Sequence, residues 1–132
     1  MGFTNVSIKI INPQNRQLSA ETKLLVGSGA LYSIVPAQFK RNIALEPKRR
    51  QTFVLANGDS ITRPVGEAIF RFSDYEGTAP VVFGEETDKA ALGVVTLEVL
   101  GLQIDPIRQE LKPAPGLLLA LGKTNAFVSR YG

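Results

Sequence analysis

Leu24-Leu25-Val26-Gly27-Ser28-Gly29-Ala30-Leu31-Tyr32-Ser33-Ile34-Val35-Pro36 is the stretch from which the rest of the chain is read. Leu24 to Val26 carry no charge and suit a strand covered on both faces. Gly27 and Gly29 allow the backbone a sharp turn and a close approach to another segment. Ser28, caught between them, is placed to hydrogen-bond across that approach. Ile34 and Val35 resume the strand pattern, and Pro36 ends it. The stretch therefore predicts two apolar strands joined by a tight glycine loop.

The sequence on either side supplies further strands. Val6 to Ile11 alternates apolar and polar residues and stops at Asn12-Pro13. Gln14 to Ser19 reads as a polar turn, and a strand from about Ala20 delivers the glycine loop. Ala37 to Ile43 predicts one or two helical turns with Phe39 and Ile43 on one face. Thr52–Ala56 and Ser60–Val65 flank Asn57-Gly58, with Asp59 beside the turn. That pattern predicts a hairpin with a two-residue turn, its positive φ angles supplied by Asn-Gly. Gly66 to Phe72 alternates into another strand, Tyr75-Glu76-Gly77 predicts a turn, and Ala79 to Gly84 a further apolar strand. Ala91-Leu92-Gly93 leads into Val94–Leu100, a short helix that Gly101 stops. Leu102–Pro106 and Gln109–Pro113 read as two short arms around a turn.

Composition removes several function classes. The chain has 132 residues, enough for one domain with a real core. It has no histidine and no cysteine. That excludes Ser-His-Asp and Cys-His hydrolases, disulfides and most zinc sites, so hydrolysis on this scaffold has to use carboxylates. No cofactor and no metal are expected: Glu85-Glu86-Thr87-Asp88-Lys89 reads as an exposed acidic loop without metal-ligand spacing. No apolar run approaches a membrane span and no signal peptide opens the chain, so a cytoplasmic protein without a membrane partner is expected. Asn5-Val6-Ser7 then matches a glycosylation acceptor by chance. The net charge of +3 does not itself call for nucleic acid. Lys48-Arg49-Arg50 has no interleaved aromatic residues and reads as a solvated loop; a nucleic-acid surface would have to combine it with Lys40 and Arg41. Gly116 to Thr124 superficially suggests a phosphate loop, but its glycine spacing and context do not fit one.

The glycine loop resembles the active-site loop of retropepsin-like aspartic proteases, apolar-apolar-Asp-Thr/Ser-Gly-Ala. Leu25, Val26, Ser28, Gly29 and Ala30 match that pattern, and Gly27 stands at the position of the catalytic Asp. Ala91-Leu92-Gly93 is similar to the family's second motif, which packs beside that loop. The resemblance runs over most of the chain, from about Val6 to Pro113. It implies an all-β fold, a closed β-barrel with a flap hairpin and one short C-terminal helix. It implies a retropepsin-like domain over 1–113, followed by an extension of unassigned role over 114–132. It further implies a homodimer with one active-site loop per chain, acting on a peptide or protein substrate. Gly27, Ser28 and Gly29 would occupy the catalytic positions, with Ala30, Ala56, Asn57, Gly58, Asp59 and Leu92 against the substrate. A glycine has no proton-transfer group, so the same resemblance implies an inactive enzyme. Gly27 marks either a substitution in a protease lineage or a non-catalytic peptide-binding or dimerisation module on the same fold.

Overall fold

The computed structural model describes residues 4–115. The extension from 116 onward, with the glycine pair at 116 and 122, lies outside the described residues. Eight strands and two short helices follow in the order β1 (Thr4–Asn12), β2 (Asn15–Val26), β3 (Ser33–Pro36), α1 (Phe39–Asn42), β4 (Arg49–Val54), β5 (Ser60–Phe72), β6 (Tyr75–Gly84), α2 (Val94–Leu100), β7 (Leu102–Asp105) and β8 (Glu110–Pro113). The all-β class is observed.

Six strands form one sheet in the order β2-β1-β5-β6-β3, with β4 also on β5. β5 is the backbone of this arrangement. It pairs with β6 from Val65 onward, while β4 takes its first half and β1 meets Ile69–Arg71. The sequence suggests two strands there, because Pro64 and Gly66 interrupt the pattern; the chain runs on as one strand because the partner changes at that point. Two turns also fall elsewhere than expected. β2 begins at Asn15, directly after the Pro13–Gln14 turn, and the β5–β6 turn lies at Ser73–Asp74, with Ser73 at φ 56°. Buried Asn12 explains the first. Its Oδ1 accepts the N–H groups of Gln14 and Asn15, and its Nδ2 donates to the carbonyls of Ile43 and Ala44.

The core lies between the sheet, α1 and α2. Ile8, Ile10, Leu24, Val26, Val35, Phe70, Val81 and Phe83 are buried in it, joined by Phe39 and Ile43 from the α1 turn and Leu100 from α2. Phe39 and Ile43 share the buried face that their spacing predicts. α2 stops at Gly101, which takes the left-handed conformation at φ 72°. β7 and β8 form a separate two-stranded sheet.

The closed barrel is not formed among the described strands. β2 and β3, the two ends of the sheet order, are not paired with each other. Between them stands Ala91 alone, bridged in parallel to Leu25 and antiparallel to Ile34. The physical reason is that the chain turns into α2 at Gly93, so no extended length remains to complete a ladder.

Candidate functional site

The glycine loop is held from behind by the segment Ala90–Leu92. Leu25 N–H donates to the Ala90 carbonyl (3.1 Å), and Leu92 N–H donates to Leu25 (2.8 Å). Ala91 and Ile34 exchange both backbone bonds, at 2.8 and 3.0 Å. The two arms of the loop are thereby stitched to one three-residue segment. The N-terminus of α2 adds a second hold, since the N–H groups of Val94 and Val95 donate to the carbonyls of Ala30 and Leu31. These are donors that a helix leaves unpaired at its first turn. Gly93 permits the contact: a Cβ there would lie 2.5 Å from the Ser33 nitrogen and 2.6 Å from the Leu31 oxygen. Buried Ser33 completes the joint, with its Oγ 2.6 Å from Thr96 Oγ1 and accepting the Gly93 N–H at 2.8 Å.

In front of the loop the hairpin of β4 and β5 encloses a groove of about 770 Å³. Its walls are largely apolar, built by Leu25, Ala30, Ile34, Phe53, Val82 and Ala91. The Tyr32 and Phe53 rings meet edge to face, centroids 5.9 Å apart, and tie the hairpin to the loop's outgoing arm. On the other flank Arg63 of β5 reaches Asp88, Nε to Oδ2 at 2.7 Å and Nη2 to Oδ1 at 3.1 Å. Arg63 also donates to the Thr62 carbonyl, and Asp88 Oδ2 accepts the Glu85 N–H at 2.7 Å. The Arg63 hydrogen bonds, helped by the Glu85 N–H, hold the Asp88 carboxyl below its ordinary value although burial pushes the other way. Of the described residues that line the groove, Asp88 is the one carboxylate.

The sequence-predicted residues divide. Ser28, Gly29, Ala30 and Ala56 line the groove. Gly27 is exposed at the end of β2 with φ 90°, outside the groove lining. Ser28 does not bond across to another segment; its Oγ accepts the Ala30 N–H at 3.3 Å, a local turn. Leu92 is buried in the core, and Ala91 is the wall residue in its place, because successive residues of an extended segment face opposite sides. Asn57, Gly58 and Asp59 form the exposed hairpin tip beyond the groove lining. The tip is not a two-residue turn. Gly58 N–H donates to Leu55, Leu55 N–H donates to Asp59, and of the Asn-Gly pair Gly58 alone has positive φ, at 92°. That is the hydrogen-bonding of a longer loop with a glycine bulge.

Sequence reasoning missed Tyr32, Phe53, the Arg63–Asp88 pair and the Ser33–Thr96 joint. Ser33 gave a faint signal as a polar residue inside an apolar run; the others gave none, since their partners lie 21 to 63 positions apart. The cations considered for nucleic acid take different surroundings. Lys40 Nζ sits over the Phe83 ring at 5.9 Å, Arg49 bonds Gln51, and Arg49 and Arg50 point to opposite faces of β4. Among the described residues no cluster of acidic side chains could hold a metal ion, and no helix is long and apolar enough to cross a membrane. No protein-family model matches the chain, and no curated protein matches it either.

Proposed function

We propose that this chain is a retropepsin-like domain whose groove binds an extended apolar peptide, and that it is inactive as an aspartic endopeptidase because of Gly27. The groove carries this reading: a glycine loop locked by an apolar-apolar-Gly segment, faced by a hairpin that acts as a flap. Aspartic protease chemistry needs two carboxylates so close that they share a proton, one activating water while the other protonates the carbonyl oxygen. Asp88 does not fill that role, because Arg63 and the Glu85 N–H hold it ionised. One loop per chain requires a homodimer for a symmetric site. Exposed Leu31, Val54 and Leu55 on the groove lining support a second copy there. Leu111 and Ile104 instead face their own core, so β7–β8 offers a partner its backbone edges.

The test is binding of a labelled library of extended apolar peptides, followed by fluorescence anisotropy. Val54→Asp, at a groove position 74% exposed, should fold normally and bind at least several-fold more weakly. If the wild-type chain binds no peptide, the reading falls. No cleavage is expected from the wild-type chain at any pH, and sedimentation at high concentration should show a dimer.

A binding module with no endopeptidase history in use is the second reading, favoured by the φ of 90° at Gly27. An L side chain in that region costs about 1–2 kcal/mol, so the loop is set for glycine. Gly27→Asp should therefore lower stability by about that amount. On the leading reading it also gives peptide cleavage at acidic pH, where one of two facing carboxylates is protonated. A folded, dimeric Gly27→Asp protein that cleaves nothing selects the second.

A further inference from the structure

We propose that Asn57 is a site of spontaneous deamidation, and that opening of the hairpin tip gates the reaction. The Gly58 backbone nitrogen attacks Asn57 Cγ, a C–N bond forms, and the side-chain nitrogen leaves as ammonia, taking the proton that Gly58 gives up. Water then breaks one of the two C–N bonds of the cyclic imide. The product is aspartate on the original main chain, or isoaspartate with the main chain rerouted through the side chain. One water is consumed and one ammonia released, with no change of oxidation state.

Three observations converge on this residue. Asn57 is the one asparagine in the chain followed by glycine; the others precede Val6, Pro13, Arg16, Ile43 and Ala126. A side chain or proline ring on the following residue crowds the attacking nitrogen, and glycine does not. The tip is also exposed, and around the Gly58 Cα nothing lies within 4 Å of where a Cβ would stand. Finally, the folded turn holds the reacting groups in other bonds. Gly58 N–H donates to the Leu55 carbonyl at 2.9 Å, while the Asn57 amide accepts the Asp59 N–H at 2.9 Å and donates to Asp59 Oδ2 at 3.1 Å. Attack requires these bonds to break, so the rate reports how often the tip opens. Either product places a second carboxylate beside Asp59, and isoaspartate adds an atom to the main chain inside the turn.

The experiment incubates the purified full chain at neutral pH and physiological temperature, folded and in concentrated urea, and maps the products by peptide mass spectrometry and ion exchange over days. In the unfolded chain Asn57 should convert roughly ten times faster than Asn15 or Asn42, whose neighbours carry side chains. Folding should slow Asn57 several-fold, and each converted molecule should lose one unit of positive charge. An Asn57 rate no greater than that of Asn15 or Asn42 in urea overturns the site. A folded rate equal to or above the unfolded one overturns the gate.

Discussion

Arg63 and Arg16 each meet a carboxylate from a distant part of the chain, yet they do different work. Arg63 bonds Asp88 on the flank of the groove, where the side chains are 12% and 20% exposed. Arg16 bonds Glu76 at 2.9 Å on the outer surface, at 53% and 31% exposure, with Arg71 also 3.6 Å from Glu76. Both carboxyls are held below their ordinary values, in each case chiefly by the arginine hydrogen bond. The difference lies in the surroundings. Asp88 also accepts a backbone N–H and Arg63 donates to a carbonyl, so the pair is tied into the chain on both sides and is little exposed to competing water. Glu76 is answered by water as readily as by Arg16. The groove side is a set of interlocked contacts; the outer face is a solvated surface on which Glu21, Lys9, Arg71 and Glu76 stand opposite one another across β2, β1, β5 and β6.

Mutations should separate the two regions by size of effect. The largest should come from Gly93→Ala, which drives a methyl group into the Leu31–Ser33 backbone that no rotamer change can move. A loss of about 2–3 kcal/mol is expected, measured as a lower urea midpoint. An unchanged midpoint would mean that α2 does not brace the glycine loop. Ser33→Ala follows, since it leaves the Gly93 N–H and the Thr96 hydroxyl buried without their partner. It should cost about 1–3 kcal/mol, and Thr96→Val added to it should recover part of the loss because the second orphan is removed.

Asp88→Asn should be smaller, about 1 kcal/mol near neutral pH, because the arginine keeps part of its contacts. Its sharper signature is in pH. The folded value of Asp88 lies below the unfolded one, about 3.9, so its contribution is present above that pH and lost as pH falls through the folded value. The wild-type protein should lose that contribution in this acid window, and Asp88→Asn should be flatter there. Glu76→Gln should move the urea midpoint least of all, and added salt should erase whatever shift appears. If Glu76→Gln proves as damaging as Asp88→Asn, the contrast between the two faces fails.

Much of the architecture was legible before the structure. Alternation in Val6–Ile11 and Gly66–Phe72, the short apolar runs at Leu24 and Ala79, and Gly101 as a helix stop all mark elements that form. They are legible because strand and helix periods are local properties of the chain. Turns were less so. Asn12 starts β2 early by accepting the Gln14 and Asn15 N–H groups, and its side chain is anchored by bonds to Ile43 and Ala44 that local composition does not encode. Asn57-Gly58 announced a turn, but the register of β4 against β5 set its length.

The sequence by itself determined that this is an all-β chain with a glycine loop, a hairpin about thirty residues beyond it and a short helix, and that Gly27 brings no acid or base. It also determined which residues could react, because the side-chain inventory contains neither histidine nor cysteine. Only the tertiary structure decided which residues face the groove. A one-residue step moves a side chain to the other side of an extended segment, and on that step Ala91 became wall while Leu92 became core. It alone decided that Arg63 holds Asp88 and that Tyr32 meets Phe53. Those pairings depend on how strands cross in space, and side-chain contacts between such distant positions carry no signature in the order of residues.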